Sequence, residues 1–252
     1  MGEVIAVTSG KGGTGRTTFT ANLGAALSDL GKKVLLVDAD IGNGFLDMAL
    51  GLESQVVYNI VDVVEGNCKI LKALIKDREE QSLYLLPSSG NRDFSAVSDV
   101  QFKKLMKIFK NEFDYILVDT PAGTGRGFKT VVSAADRIFV LTTPDRFSLR
   151  AAVKLSNQMT PEESSVAYLI INRLRMDLLR ENAVMGPEEI VEFIGIPLFG
   201  VTLESDDILL MTETGRPVTD LNTPACRSYV NIARRILGEN IPIVLKRAKK
   251  KE

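Results

Sequence analysis

Histidine and tryptophan are absent from the 252 residues, and cysteine occurs only twice, as Cys68 and Cys226. Without histidine, every imidazole-based mechanism is excluded: Ser-His-Asp triads, Cys-His pairs and His-ligated zinc. Two cysteines so far apart in sequence cannot form a Cys-rich metal cluster within one chain, and they read as unremarkable buried or half-buried thiols. Net charge is nearly absent too. The 31 Lys+Arg against 32 Asp+Glu leave −1, so nucleic acid is not an expected partner. No run approaches the ~18 apolar residues of a membrane-spanning helix. Met1-Gly2-Glu3 leads straight into a short apolar run, so no secretory leader is expected and the location should be cytoplasmic. What is present is 45% apolar and 25% charged, too apolar and too neutral for a disordered chain. Chemistry falls to carboxylates, Lys and Arg, hydroxyls, backbone amides and a hard metal ion.

Short continuous apolar runs alternate with helical patterns. Strands are expected at 4–7, 34–37, 83–86, 115–118, 137–142, 168–171 and 198–201. Helices are expected at 17–30, 98–110, 147–155, 187–194 and 226–237, each with apolar residues three and four apart. Runs that do not alternate belong to strands covered on both faces. The expected fold class is therefore α/β: a doubly wound, mostly parallel sheet of about 7–8 strands with helices on both faces. A single domain over 1–240 is expected, with a basic, mobile tail over 241–252. Ligands of such sheets bind at the carboxyl ends of the strands, so the residues just after each strand matter most.

After the first strand comes Ser9-Gly10-Lys11-Gly12-Gly13-Thr14-Gly15-Arg16-Thr17-Thr18. It has the spacing G-x-x-x-x-G-K-[ST] of a phosphate-binding loop, with Arg16 in the Lys position. Glycines let the backbone N–H groups converge on an anion, and the positive end of the following helix adds to them. Thr17 is placed to bind Mg²⁺ through its hydroxyl, and Lys11 should face phosphate, directed outward toward a second molecule. The second strand ends in Asp38-Ala39-Asp40 and the 115–118 strand in Asp119-Thr120-Pro121-Ala122-Gly123. Acids there can hold Mg²⁺ or its waters, or orient an attacking water. The Gly123 N–H could meet a γ-phosphate. Asn172 is placed to read an adenine edge, with Arg173 stacking.

These segments resemble the ParA/MinD superfamily of ATPases. Residues 10–18, with a lysine early in the loop, look like its deviant Walker A motif. Asp38-Ala39-Asp40-Ile41-Gly42 resembles its switch I, and Asp119-Thr120-Pro121-Ala122-Gly123 its Walker B and switch II. Val56-Val57-Tyr58-Asn59, Ala73-Leu74-Ile75-Lys76-Asp77, Leu83-Tyr84-Leu85-Leu86-Pro87 and Arg92-Asp93 are similar to the MinD branch in particular. The likeness spans about residues 2 to 240.

The resemblance implies a P-loop ATPase using ATP and Mg²⁺ and forming an ATP-dependent homodimer that positions the division septum. It implies that Lys11 reaches the partner subunit's phosphates, that Asp40 positions the hydrolytic water and that Gly12 lies at the dimer contact. It implies that Thr17 binds Mg²⁺ directly, with Asp38 and Asp119 acting through waters. Catalytic roles fall on Lys11, Asp40 and Arg16. A MinE-type activator or another division or placement protein is the implied partner, with weak peripheral contact to the inner face of the membrane through the basic tail.

Three departures stand out. Arg16 replaces the loop lysine, and that exchange is not conservative. Gly44-Phe45 stands where an Arg-Asn pair is usual. The end of the chain has a basic cluster but little apolar periodicity. An alternative is a nucleotide-gated placement scaffold with little hydrolysis; a ParA-type DNA partitioner is a more distant one.

Overall fold

The apolar run 4–7 becomes strand β1 (Glu3–Thr8), buried at every residue after the first. The structure, a computed structural model, describes residues 1–77, 82–90, 92–217 and 223–243, apart from the side chain of Met211. The other strands are β2 (Val34–Asp38), β3 (Ile75–Lys76), β4 (Leu83–Leu86), β5 (Tyr115–Asp119), β6 (Arg137–Thr142), β7 (Ala167–Leu174) and β8 (Leu198–Leu203). They form one sheet in the order β3-β4-β2-β5-β1-β6-β7-β8. Every pairing is parallel except that of β3 with β4. The expected mostly parallel, doubly wound sheet is present, with eight strands among the described residues where about 7–8 were expected.

Each sheet face carries its own core. On one, Phe102, Phe109, Phe128, Leu149 and Ile190 come from helices Asp99–Phe109, Arg126–Val132, Arg146–Ser156 and Pro187–Ile194. On the other, helices Arg16–Asp29 and Pro224–Ile236 pack side by side, the first chiefly on β2 and β5 and the second on β8. Covered by the sheet and by that neighbouring helix, Arg16–Asp29 buries Phe19, Leu23 and Leu27 together with Ala21, Ala25 and Ala26. Aromatic contacts join the layers, with the Phe19 ring edge-on to Phe139 at 6.4 Å and tilted against Tyr229 at 5.8 Å.

Strand ends differ from the sequence expectation at one place that matters. The strand expected to stop before Asn172 runs on to Leu174. Pairing with β8 resumes at Leu174↔Leu203 after a register irregularity, and Arg173 within it takes φ 59°. Asn172 is therefore a buried strand residue rather than the residue after a strand. The two-residue strand β3 and short helices such as Leu46–Ala49 and Ile70–Ala73 were not apparent, being too short to show a period.

Among the described residues no helix is long and apolar enough to cross a membrane. The tail expectation falls mostly on 244–252, which lie outside the described residues. The chain just before them is tied down, since the Arg235 Nε–H donates to the Ile241 carbonyl at 2.7 Å.

Candidate functional site

The winding of the sheet reverses beside β1, between β5 and β6, and the conspicuous residues of the sequence gather there. The loop after β1 turns through Gly13 and Gly15, at φ 79° and 85°. Gly15 is required on two grounds: its conformation is left-handed, and a Cβ there would stand 2.7 Å from Asn172 Nδ2. Helix Arg16–Asp29 starts immediately after it with no side-chain cap. Its first N–H groups are thus free for an anion. Ser9 Oγ donates to the Lys11 carbonyl at 2.8 Å and fixes the first half of the loop.

Asp38 and Asp119 are register partners on β2 and β5. Asp38 accepts the Leu46 and Asp40 N–H groups, each at 3.1 Å. Its carboxylate also sits where a Cβ on Gly44 would be, with the two oxygens at 2.3 and 2.5 Å from that position. Thr17 Oγ1 donates to Asp119 Oδ2 at 2.7 Å. The second oxygen, Asp119 Oδ1, is buried and has no hydrogen-bond partner. Burial, then the neighbouring Asp119 charge, holds the Asp38 carboxyl well above the usual carboxylate range. Burial pushes Asp119 up to about 6 against the lowering pull of Arg16 and Thr17. Two buried acids side by side, one with an orphaned oxygen, beside a hydroxyl on a helix start, suit a hard divalent cation. No group of three His, Cys, Asp or Glu able to hold a metal occurs among the described residues. The donor set is thus a hydroxyl and two acids, the chemistry of Mg²⁺ held partly through water.

Arg16 is 8% exposed and its guanidinium turns toward the strand ends. Nε–H donates to the Thr120 carbonyl at 2.9 Å, and Nη1 to Ser9 Oγ at 2.6 Å. Nη2 meets Asp40 Oδ2 at 3.4 Å, and Nε stands 3.7 Å from Asp119 Oδ1. Burial raises the Asp40 carboxyl, and the Arg16 charge offsets part of that.

Lys11, Gly12 and Gly13 are exposed at the loop's crest. Gly10 is pressed against helix Arg146–Ser156, where a Cβ would meet the Ala151 carbonyl oxygen at 2.1 Å. Thr14 is buried and Thr18 half-buried. The Gly123 N–H donates to the Ser9 carbonyl at 3.1 Å, linking the β5 loop to the phosphate-type loop. Asn172 Nδ2 donates to the Thr14 carbonyl at 2.7 Å, and its Oδ1 accepts from Thr202 Oγ1. Arg173 makes a two-pronged ion pair with Glu204, at 2.7 and 2.8 Å. Asn172 and Arg173 line a cavity of about 240 Å³ with Gly15, Thr18, Ile208 and Tyr229.

The sequence motifs missed Ser9, Thr120, Thr202 and Glu204 as supports of the site. Thr120, Thr202 and Glu204 lie at or just after strand ends, so the strand-end rule would have reached them.

A family model described as an AAA domain matches residues 2–166. The septum site-determining protein MinD of Bacillus subtilis is 44% identical over 96% of this chain and 92% of its own. The chain of an Aquifex aeolicus structure described as a MinC:MinD cell division protein complex superposes with TM-score 0.89 at 40% identity, over 98% of this chain and all of that one. A Pyrococcus horikoshii MinD complexed with Mg-ADP superposes with TM-score 0.83 at 26% identity, over 96% of this chain and all of that one.

Proposed function

Because the chain belongs to the MinD family of ATPases, we propose that it binds ATP with Mg²⁺ at the loop after β1, hydrolyses it, and uses that cycle to position the division septum. The observation that carries the site assignment is Asp119: a buried carboxylate at a strand end, held by Thr17 of the loop helix, with one oxygen left for a cation. Mg²⁺ bound there would neutralise charge on the phosphate oxygens. Thr17 is assigned to it directly, and Asp38 and Asp119 through waters.

In this assignment the N–H groups of residues 10–18 and the helix start hold the phosphates. Asp40, with its partly exposed carboxylate, orients the attacking water, and Lys11 reaches the phosphates of a second subunit from its exposed position on the crest. The Gly123 N–H becomes a γ-phosphate donor once the β5 loop moves from the Ser9 carbonyl. The Asn172 and Arg173 cavity takes the base. Phosphoryl transfer of this kind proceeds by positioning and electrostatics and needs no imidazole.

The partner is a division protein, in line with the MinC:MinD complex of the Aquifex relative. An ATP-dependent homodimer, an activator of the MinE type and weak membrane contact through the basic tail belong to the same proposal. The relatives at 37–44% identity are MinD proteins, so neither the placement scaffold with little hydrolysis nor the DNA partitioner is favoured.

Calorimetry with ADP, with and without Mg²⁺, and a phosphate-release assay with ATP test the proposal. Mg²⁺-dependent binding with turnover that falls in Asp40→Ala supports it. Absence of nucleotide binding sinks it.

A further inference from the structure

Arg16 is the one loop residue whose placement the proposed nucleotide role leaves unexplained. A cation serving the phosphates should lie along the loop, yet all three of its guanidinium nitrogens are engaged at the strand ends, on Thr120, Ser9 and Asp40. Three acids surround that region: Asp38, Asp40 and Asp119. The guanidinium is their neighbouring cation, and it approaches the orphaned Asp119 Oδ1 to 3.7 Å. The same oxygen is the one available to a metal shell. Thr17, another metal candidate, donates its proton to the opposite oxygen of Asp119. Two of the three residues proposed to bind a divalent cation, Thr17 and Asp119, are thus bonded to one another, and Asp119 is also paired with Arg16.

We propose that Arg16 is a latch: its guanidinium competes with the divalent cation for Asp119 and engages Asp40, and nucleotide phosphate must draw it off before the site can act. The proposal rests on the nucleotide reading above. Its physical basis is a choice of partners for one planar cation. On the strand ends the guanidinium has a carbonyl, a hydroxyl and two loosely placed carboxylates at 3.4 and 3.7 Å. A polyphosphate offers a shorter, two-pronged and more highly charged partner, which guanidinium suits particularly well. A lysine at this position has one point charge and cannot span Thr120, Ser9 and Asp40 together, so the latch belongs to this chain's arginine. Two discrete arrangements of one side chain, biased by the ligand, are a sufficient basis for such a switch. Asp40 would be released in the same movement, so the water-orienting carboxylate is freed only when phosphate is in place.

The test follows the Arg16 Nε–H directly in the ¹⁵N-labelled full chain by NMR, with Arg16→Lys to assign its resonance. Calorimetry on the same samples records ADP binding. The expected result is a protected Nε–H in the chain alone and with MgCl₂ alone. With Mg²⁺ and ADP the resonance should move or vanish, as the Thr120 carbonyl is given up. Binding of ADP with an unchanged Nε–H overturns the latch and leaves the nucleotide reading standing. Release by MgCl₂ alone, or no protected Nε–H at the outset, also overturns the latch. No binding of ADP overturns the nucleotide reading itself, and the latch with it.

Discussion

Asn172 Nδ2 and the Thr14 carbonyl are 2.7 Å apart, and that buried hydrogen bond ties β7 to the loop after β1. Both groups are buried, and the other end of the amide is held by Thr202. Asn172→Ala takes from the Thr14 carbonyl its side-chain donor and from the Thr202 hydroxyl proton its acceptor, both in the interior. The expected cost is about 1–3 kcal/mol of stability, read by urea unfolding, with weaker ADP binding read by calorimetry. An unchanged affinity would show that the bond does not shape the loop.

Arg16→Lys restores the loop cation that suits a phosphate oxygen and removes the contact with Asp40. The rate of phosphate release should rise, by up to about 10²-fold if one well-placed donor is recovered. Arg16→Ala should fall below the natural protein. A rate in Arg16→Lys at or below the natural one would mean that arginine is the better cation in this site.

Gly44→Ala tests the space beside Asp38. A Cβ there would collide with the Ser88 hydroxyl and with both Asp38 carboxylate oxygens, so one of those side chains or the 43–46 backbone must shift. Destabilisation of about 1–3 kcal/mol is expected for such overpacking, together with weaker Mg²⁺-dependent ADP binding. Denaturant melts and calorimetry separate the two effects.

Asp145 gives the chain a pH-dependent contribution away from the acids around Arg16. It accepts the Phe147 and Ser148 N–H groups at the start of helix Arg146–Ser156. Partial burial pushes its carboxyl up, but hydrogen bonds from Thr143 and Ser148 and the Lys11 charge outweigh this and bring it to about 2. A carboxyl lowered on folding stabilises the chain above its unfolded value, 3.8, and the gain is lost as pH falls toward 2. Asp145→Asn keeps the cap without the titration. The stability advantage of the natural protein over this variant should therefore shrink between pH 4 and about 2. Thermal melts across that range would expose a flat difference if the cap carries no charge dependence.

Most of the scaffold was legible because doubly covered strands leave unbroken apolar runs, and six of the seven expected strands lie within observed strands without changing their role. The exception, 168–171, shows why the remainder was hidden. Its continuation past Asn172 depends on β8 resuming its pairing beyond an irregularity, a contact between residues about thirty positions apart. The two-residue β3 exists only because β4 offers it an edge. The loop and its acids were legible one by one from their spacing after strands. Their mutual bonds were not, since Thr17 with Asp119 and Arg16 with Thr120 join segments about a hundred residues apart.

The sequence by itself determined the chemistry open to this protein. Lacking histidine and carrying a glycine-rich loop with acids at the following strand ends, it has the residue types that suit phosphate and a hard cation. Those properties are local, set by residue type and short spacing. The tertiary structure decided what each charge faces. Registering β2 against β5 placed Asp38 beside Asp119 with both side chains buried, and folding the loop over those strands turned Arg16 onto Thr120, Ser9 and Asp40. Electrostatic partnership depends on distance and burial, and neither is written in the order of the residues.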